Sequence, residues 1–192
     1  LSSSALPFLI RPAVPEDMEA VQAIYAHYVL RSCASFEEEP PSVAEMLRRH
    51  AGILEKKLPF LVAVSDGEVV GYTYAGPFRT RSAYRYTIED SIYVAPGIVR
   101  RNIGASLLRL LIDQCTELGY RQMIAIIGDS ANLGSIQLHR KLGFRQEGVL
   151  RGVGLKFGRW IDVVIMHRPL GHADDRVRTL AAQASGEANE QE

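Results

Sequence analysis

The stretch YVAPGIVRRNIGASLL, Tyr93 to Leu108, decides the fold. It passes from a strand-like end, through a loop with two adjacent arginines, into the start of an amphipathic helix. Backbone N–H groups without intrahelical partners converge at such a helix start, and the helix dipole favours an anion there, so the segment has the form of a phosphate cradle. Cradles ordinarily use glycines for close backbone approach. Here Asn102 stands where a first glycine is expected, and only Gly104 remains. An asparagine N-cap beside two solvated arginines is the other reading of the same residues.

Working outward, Tyr84 to Val94 has a strand pattern, and Ile103, Leu107, Leu110, Leu111 and Leu118 fall at helical spacing up to a terminating Gly119. MIAIIG, Met123 to Gly128, is too short and apolar for a surface helix and reads as a strand buried on both faces. Leu133 to Leu142 makes a short helix closed by Gly143, and strands follow around VLRGVGL and WIDVVIMHR. Toward the N-terminus, FLVAVSDGEVVGYTYAG is two apolar runs about Asp66-Gly67, a strong hairpin signal. Ser42 followed by Glu45 has the capping-box spacing and opens a second helix. Pro15, Glu16 and Asp17 suit the start of a first helix bearing Val21, Ile24, Tyr25, Tyr28 and Val29 on one face. A short strand, Phe8 to Arg11, precedes it. The order β, α, α, three strands, α, β, α, β, β predicts an α/β fold with a mixed central sheet and helices on both faces.

Residues 8–171 form one domain, with 1–7 and the polar, small-residue-rich 172–192 expected to be disordered flanks. Lys plus Arg equals Asp plus Glu at 22 each among 192 residues, so no global field recruits nucleic acid or an anionic membrane. Any anion site must be local. Cys33 and Cys115 form no CxxC pair or Cys/His cluster, which argues against a disulfide framework or metal site, and Cys115 reads as core. No apolar run reaches the ~18 residues of a spanning helix, and the first residues lack a signal peptide's basic start and apolar length. A soluble, cytoplasmic protein is expected.

Three motifs in order, YAGPFRTRSAYRYTIEDSIYV, AIIGDSANLGSIQLHRKLGF and VGLKFGRWIDVV, together with VRRNIG between a strand and a helix, carry a resemblance. The chain resembles the GNAT superfamily of acyl-CoA N-acyltransferases, and within it the phosphinothricin and methionine sulfoximine acetyltransferase branch. The likeness covers nearly all of residues 8 to 170. It implies the GNAT fold, acetyl-CoA as co-substrate, no metal, and acetyl transfer to the α-amino group of a small amino acid or analogue by direct attack in a ternary complex. A homodimer is common in the family, and the apolar last strands suit one.

Acetyl transfer from a thioester to an amine requires a grip on the coenzyme, a donor for the carbonyl oxygen, a base, and a group orienting the acceptor. By the resemblance, Arg100, Arg101, Asn102, Ile103, Gly104 and Ala105 hold the coenzyme pyrophosphate. Val99 stands where the family has Gln. Ile92, Tyr93 and Val94 line the pantetheine arm, with a backbone N–H near Val94 as the oxygen donor. Asn132 and Ser135, on the helix face of His139, are further coenzyme contacts.

Glu89 is the leading base, because a carboxylate in TIEDSIYV is costly unless hydrogen-bonded or functional, and partial burial raises its pKa. Asp90 beside it is expected to be the outward-facing one of the pair. His139 is the second candidate base: a lone helical histidine is ordinarily structural, but the likeness at LHRKLGF, where the family places a histidine in the active site, implies a catalytic place for it. Arg79, Thr80 and Arg81, followed by Glu89, Asp90 and Ser91, match the branch's substrate loop, and arginine suits an acidic or sulfoximine tail. Thr80 and Ser82 depart from the branch's pattern, which leaves that tail open. Trp160, Tyr28 and Phe36 are candidate pocket walls, or core or dimer-contact aromatics. Other amine acceptors and a non-catalytic acyl-CoA-binding module are the competing functions. The arginine pair opposes a cationic polyamine.

Overall fold

The structure, a computed structural model, describes residues 8–98 and 102–171. Val99, Arg100 and Arg101 therefore lie outside the described residues, as do both flanks. Strands β1 (Leu9–Pro12), β2 (Phe60–Ser65), β3 (Glu68–Pro77), β4 (Thr87–Val94), β5 (Gln122–Gly128), β6 (Arg145–Lys156) and β7 (Arg159–Pro169) form one sheet in the order β1-β2-β3-β4-β5-β7-β6. Helices α1 (Met18–Arg31), α2 (Val43–Glu55), α3 (Ile103–Glu117) and α4 (Leu133–Lys141) alternate with them in the expected order. Every neighbouring strand pair is antiparallel except β4 and β5.

Local chemistry sets most boundaries. Asp66 and Gly67 take φ of 52° and 84° and make the tight β2–β3 turn their dipeptide predicts. Ser42 Oγ accepts from the Glu45 N–H at 3.1 Å, capping α2, while the Glu45 carboxylate turns to Arg49 rather than back to the cap. Pro15–Asp17 form a 3-10 turn ahead of α1 because Asp17 takes a two-pronged bond from Arg11. Tyr84 lies in another 3-10 turn, Ser82–Tyr84, so β4 starts at Thr87. Leu118, expected on the apolar stripe of α3, is instead the exposed C-cap before Gly119 at φ 86°.

Strand alternation divides the interior in two. On one face, Leu61, Ala63, Ile88 and Met123 pack with Leu107, Leu108 and Leu111 of α3. On the other, Phe60, Val62 and Tyr72 pack with Val21, Ile24 and Val29 of α1 and Met46 of α2. Cys115 is fully buried, as its place on α3 predicts. MIAIIG is not covered on both sides: Met123, Ala125 and Ile127 are buried, but Ile126 is 39% exposed. The reason is a gap in the sheet. The parallel ladder joins Thr87, Ile88 and Glu89 to Gln122, Met123 and Ile124, and β4 then runs on to Val94 and β5 to Gly128 without further pairing. That divergence opens the sheet where the site lies.

Candidate active site

A cleft of about 820 Å³ occupies the gap, walled by β4 from Glu89 to Val94, by β5 from Ala125 to Gly128, by α4, and by the loop after α1. The β3–β4 register fixes what the gap receives. Ala95 N–H bonds Val70 O at 2.9 Å, so Tyr93 and Ser91 direct their N–H groups to β3, while those of Ile92 and Val94 point to the side β5 has left. Tyr28 Oη donates to Val94 O at 2.6 Å, securing the strand beside the opening.

Glu89 and Asp90 point to opposite faces of β4, but their burial is the reverse of expectation. Asp90 is 7% exposed and Glu89 only half-buried. The correction has a physical cause: α3 packs on the Asp90 face of β4, and α4 adds His139, whose Nε2 is 3.0 Å from Asp90 Oδ2. His139 Nδ1 meets the Ser135 carbonyl at 2.8 Å, so both ring nitrogens are engaged. Burial pulls the His139 pKa down, and the Asp90 hydrogen bond and charge outweigh it, giving a net rise. Glu89 lines the cleft with its pKa pushed up to about 7, by burial first and then by the charge of Asp90, against the lowering pull of Arg79. A carboxylate with that pKa is poised to take a proton near neutral pH.

Ser91, Ile92, Tyr93, Val94, Asn132 and Ser135 also line the cleft. Asn132 Oδ1 accepts from Ser135 N–H at 3.3 Å and caps α4. Asn102 is exposed at φ 57° and ψ 16°, a left-handed residue rather than the relaxed N-cap its other reading required. After it, the side chains of Ile103 and Ala105 are buried in the core, so only their backbone N–H groups are on offer. A side chain at Gly104 would meet Leu138 at 3.4 Å and Val94 at 3.6 Å. Arg79, Thr80 and Arg81 are exposed and outside the cleft lining, although the Arg79 charge reaches Glu89. Tyr28 and Phe36 are wall residues, whereas Trp160 is 69% exposed on β7 and is not.

The sequence reading missed part of the cleft wall. Tyr25 and Tyr74 line it, and Tyr25 packs edge-on to Tyr93 at 5.2 Å. Tyr25 Oη bonds Ser35 Oγ at 2.7 Å and donates to Glu37 Oε1 at 2.9 Å. These groups come from α1, β3 and a loop, and only the fold brings them together.

The unpaired Ile92 and Val94 N–H groups, with the small Gly104 at the start of α3, fit an extended acyl thioester ending in a phosphate. Residues 10–165 match the acetyltransferase (GNAT) domain family. The chain belongs to the GNAT acetyltransferases. It is 50% identical over 165 residues to a phosphinothricin N-acetyltransferase of Alcaligenes faecalis, covering 86% of this chain and 84% of that one. It is 36% identical to an L-methionine sulfoximine/L-methionine sulfone acetyltransferase of Salmonella typhimurium, covering 84% and 94%. The crystal structure of a phosphinothricin acetyltransferase from Sinorhizobium meliloti in complex with acetyl-CoA superposes with a TM-score of 0.84 at 45% identity, covering 88% and 91%. The enzyme is thus an acetyl-CoA-dependent N-acetyltransferase, with the GNAT fold its sequence predicts.

Proposed function

We propose that this GNAT enzyme acetylates the α-amino group of a small amino acid analogue of the phosphinothricin or methionine sulfoximine type. The observation that carries the reading is Glu89, half-buried in the cleft wall at the last pair of the β4–β5 ladder, with its pKa pushed up to about 7. Acetyl-CoA supplies the activated acyl group. Glu89 removes a proton from the acceptor's ammonium, directly or through one water, so that the amine attacks as a neutral nucleophile. The Val94 N–H, aimed into the gap, meets the negative charge developing on the thioester oxygen. Asn102, Ile103, Gly104 and Ala105 offer backbone N–H groups to the pyrophosphate, with Arg100 and Arg101 adjacent in sequence.

His139 holds Asp90 and the Ser135 backbone rather than serving as a second base, since neither ring nitrogen is free. Arg79 biases the acceptor end toward an anionic tail, and its influence on Glu89 supports that placement. The exposed apolar side chains of Leu150, Val153, Leu155, Phe157 and Trp160 along β6, its turn and β7 support a homodimer through that face. Dependence on acetyl-CoA supports a cytoplasmic setting, and acetylation of such inhibitors would confer resistance to them.

The test is free-thiol release from acetyl-CoA with phosphinothricin, methionine sulfoximine and a broad amine panel, with products weighed by mass spectrometry. Turnover concentrated on the two named acceptors supports the reading. No turnover with any amine would leave a coenzyme-binding module, and preference for peptide N-termini would replace the acceptor class.

A further inference from the structure

The loop between α1 and α2 contributes Ala34, Ser35, Phe36 and Glu37 to the wall of the cleft. It is held from the opposite end of the sheet by the β6–β7 hairpin. Lys156, the last residue of β6, is only 3% exposed. Its Nζ donates to Ser32 O at 2.9 Å and to Ser35 O at 2.6 Å, and lies 5.0 Å from the centre of the Phe157 ring. Burying an ammonium is costly unless its donors are met. Here two main-chain carbonyls of one turn and an aromatic face meet them. The two carbonyls converge on one cation, which fixes the curvature of the turn carrying Ala34 to Phe36.

Three further features act on the same loop. Phe157 has φ of 52°, a left-handed conformation unusual for an aromatic residue, and Gly158 follows at 71°. That strained turn stacks Phe157 over the ammonium, and strain of this kind persists where surrounding structure holds it in place. A Cβ at Gly154 would stand 2.2 Å from the Phe36 ring, and one at Gly128 2.1 Å from the Cys33 carbonyl oxygen, so both glycines permit the loop's close approach. Arg159 donates to Cys33 Sγ at 3.3 Å.

We propose that Lys156 is a positioning residue for the acceptor. By gathering the Ser32 and Ser35 carbonyls it sets Phe36 and Glu37 at the distance from Glu89 that the amino acid occupies, and it leaves the coenzyme half of the cleft untouched. This rests on the acceptor reading above, with the amino acid seated between that loop and Glu89.

The experiment compares Lys156→Met, Lys156→Arg and Gly154→Ala with wild type in steady-state kinetics and acetyl-CoA calorimetry. Lys156→Met should raise the acceptor KM by at least about tenfold while the acetyl-CoA Kd stays within about twofold, a split that general loosening of the fold does not give. Lys156→Arg, keeping the charge, should recover part of the loss. Gly154→Ala leaves Lys156 in place but displaces Phe36, and should show the same split. An unchanged acceptor KM in folded Lys156→Met, or equal losses for acceptor and coenzyme, would overturn the proposal. If Lys156→Met does not fold, Lys156→Arg decides: a raised acceptor KM at unchanged acetyl-CoA Kd upholds the proposal, and an unchanged acceptor KM or equal losses overturn it. Wild type that acetylates nothing refutes the acceptor reading instead. Amide exchange then tests the clamp, which requires faster exchange at 33–37 than at 102–106 in Lys156→Arg, and equal change in both would overturn it.

Discussion

Nε2 of His139 lies 3.0 Å from Oδ2 of Asp90, with the two side chains 3% and 1% exposed. The opposite ring nitrogen faces the Ser135 carbonyl, which can only accept, so Nδ1 carries a proton. The short contact to Asp90 needs a second one. The pair therefore holds a proton between imidazole and carboxylate and fixes α4 against the strand that carries Glu89.

Removing the carboxylate strands that imidazole. Asp90→Ala should destabilise the fold by about 3–5 kcal/mol, the usual effect of deleting one partner of a buried pair. The pKa of His139 is raised on folding, so its contribution is fully present below its unfolded value and is lost as pH rises through the folded one. Urea unfolding should accordingly show a larger deficit for Asp90→Ala at pH 6 than at pH 9.

Glu89 behaves in the opposite sense from a salt-bridged carboxylate. Its folded pKa of about 7 lies above its ordinary value of 4.5, so the native state holds a proton that the unfolded chain releases. Stability falls as pH rises from about 4.5 through 7, while the base becomes active over the upper part of that window. Glu89→Gln should therefore raise Tm relative to wild type at pH 8 and have little effect at pH 4.5, as read by thermal melts in matched buffers.

Left-handed Asn102 costs about 1–2 kcal/mol for an average residue and less for asparagine, which visits that region readily. Each charge-assisted bond to a pyrophosphate contributes about 1.5–3 kcal/mol, so several outweigh one strained residue. Asn102→Gly should change the acetyl-CoA Kd by less than about tenfold in calorimetry. A larger gain in affinity would show that the asparagine impairs the cradle.

Only Arg79 of the arginine pair acts on the charge of Glu89. Arg79→Ala should move the acidic limb of kcat/KM to higher pH and raise the acceptor KM, whereas Arg81→Ala should leave both within about twofold. The pH–rate profile of the two variants separates these outcomes.

Element order was legible because it rests on local signals: the Asp66-Gly67 turn, the Ser42 cap, and helical spacing in α3. Glu89 stood out as a carboxylate in an apolar strand. Burial of the adjacent pair was not legible, since alternation shows that Glu89 and Asp90 face opposite ways but not which face a helix will cover. His139 is 49 positions from Asp90, and nothing near either residue records their contact. The β4–β5 divergence is equally non-local, so Ile126 read as a core residue rather than a cleft wall. Tyr25 and Tyr74 look like ordinary core aromatics until α1 and β3 bring them to the cleft.

The assignment of Glu89 as base is tested most directly by single-turnover acetylation of phosphinothricin with wild type and Glu89→Gln, alongside acetyl-CoA calorimetry on both. The variant should lose at least about a hundredfold in rate, the scale of general-base catalysis, while its coenzyme Kd stays within about threefold. A variant that keeps the wild-type rate, with its coenzyme affinity intact, would contradict the account.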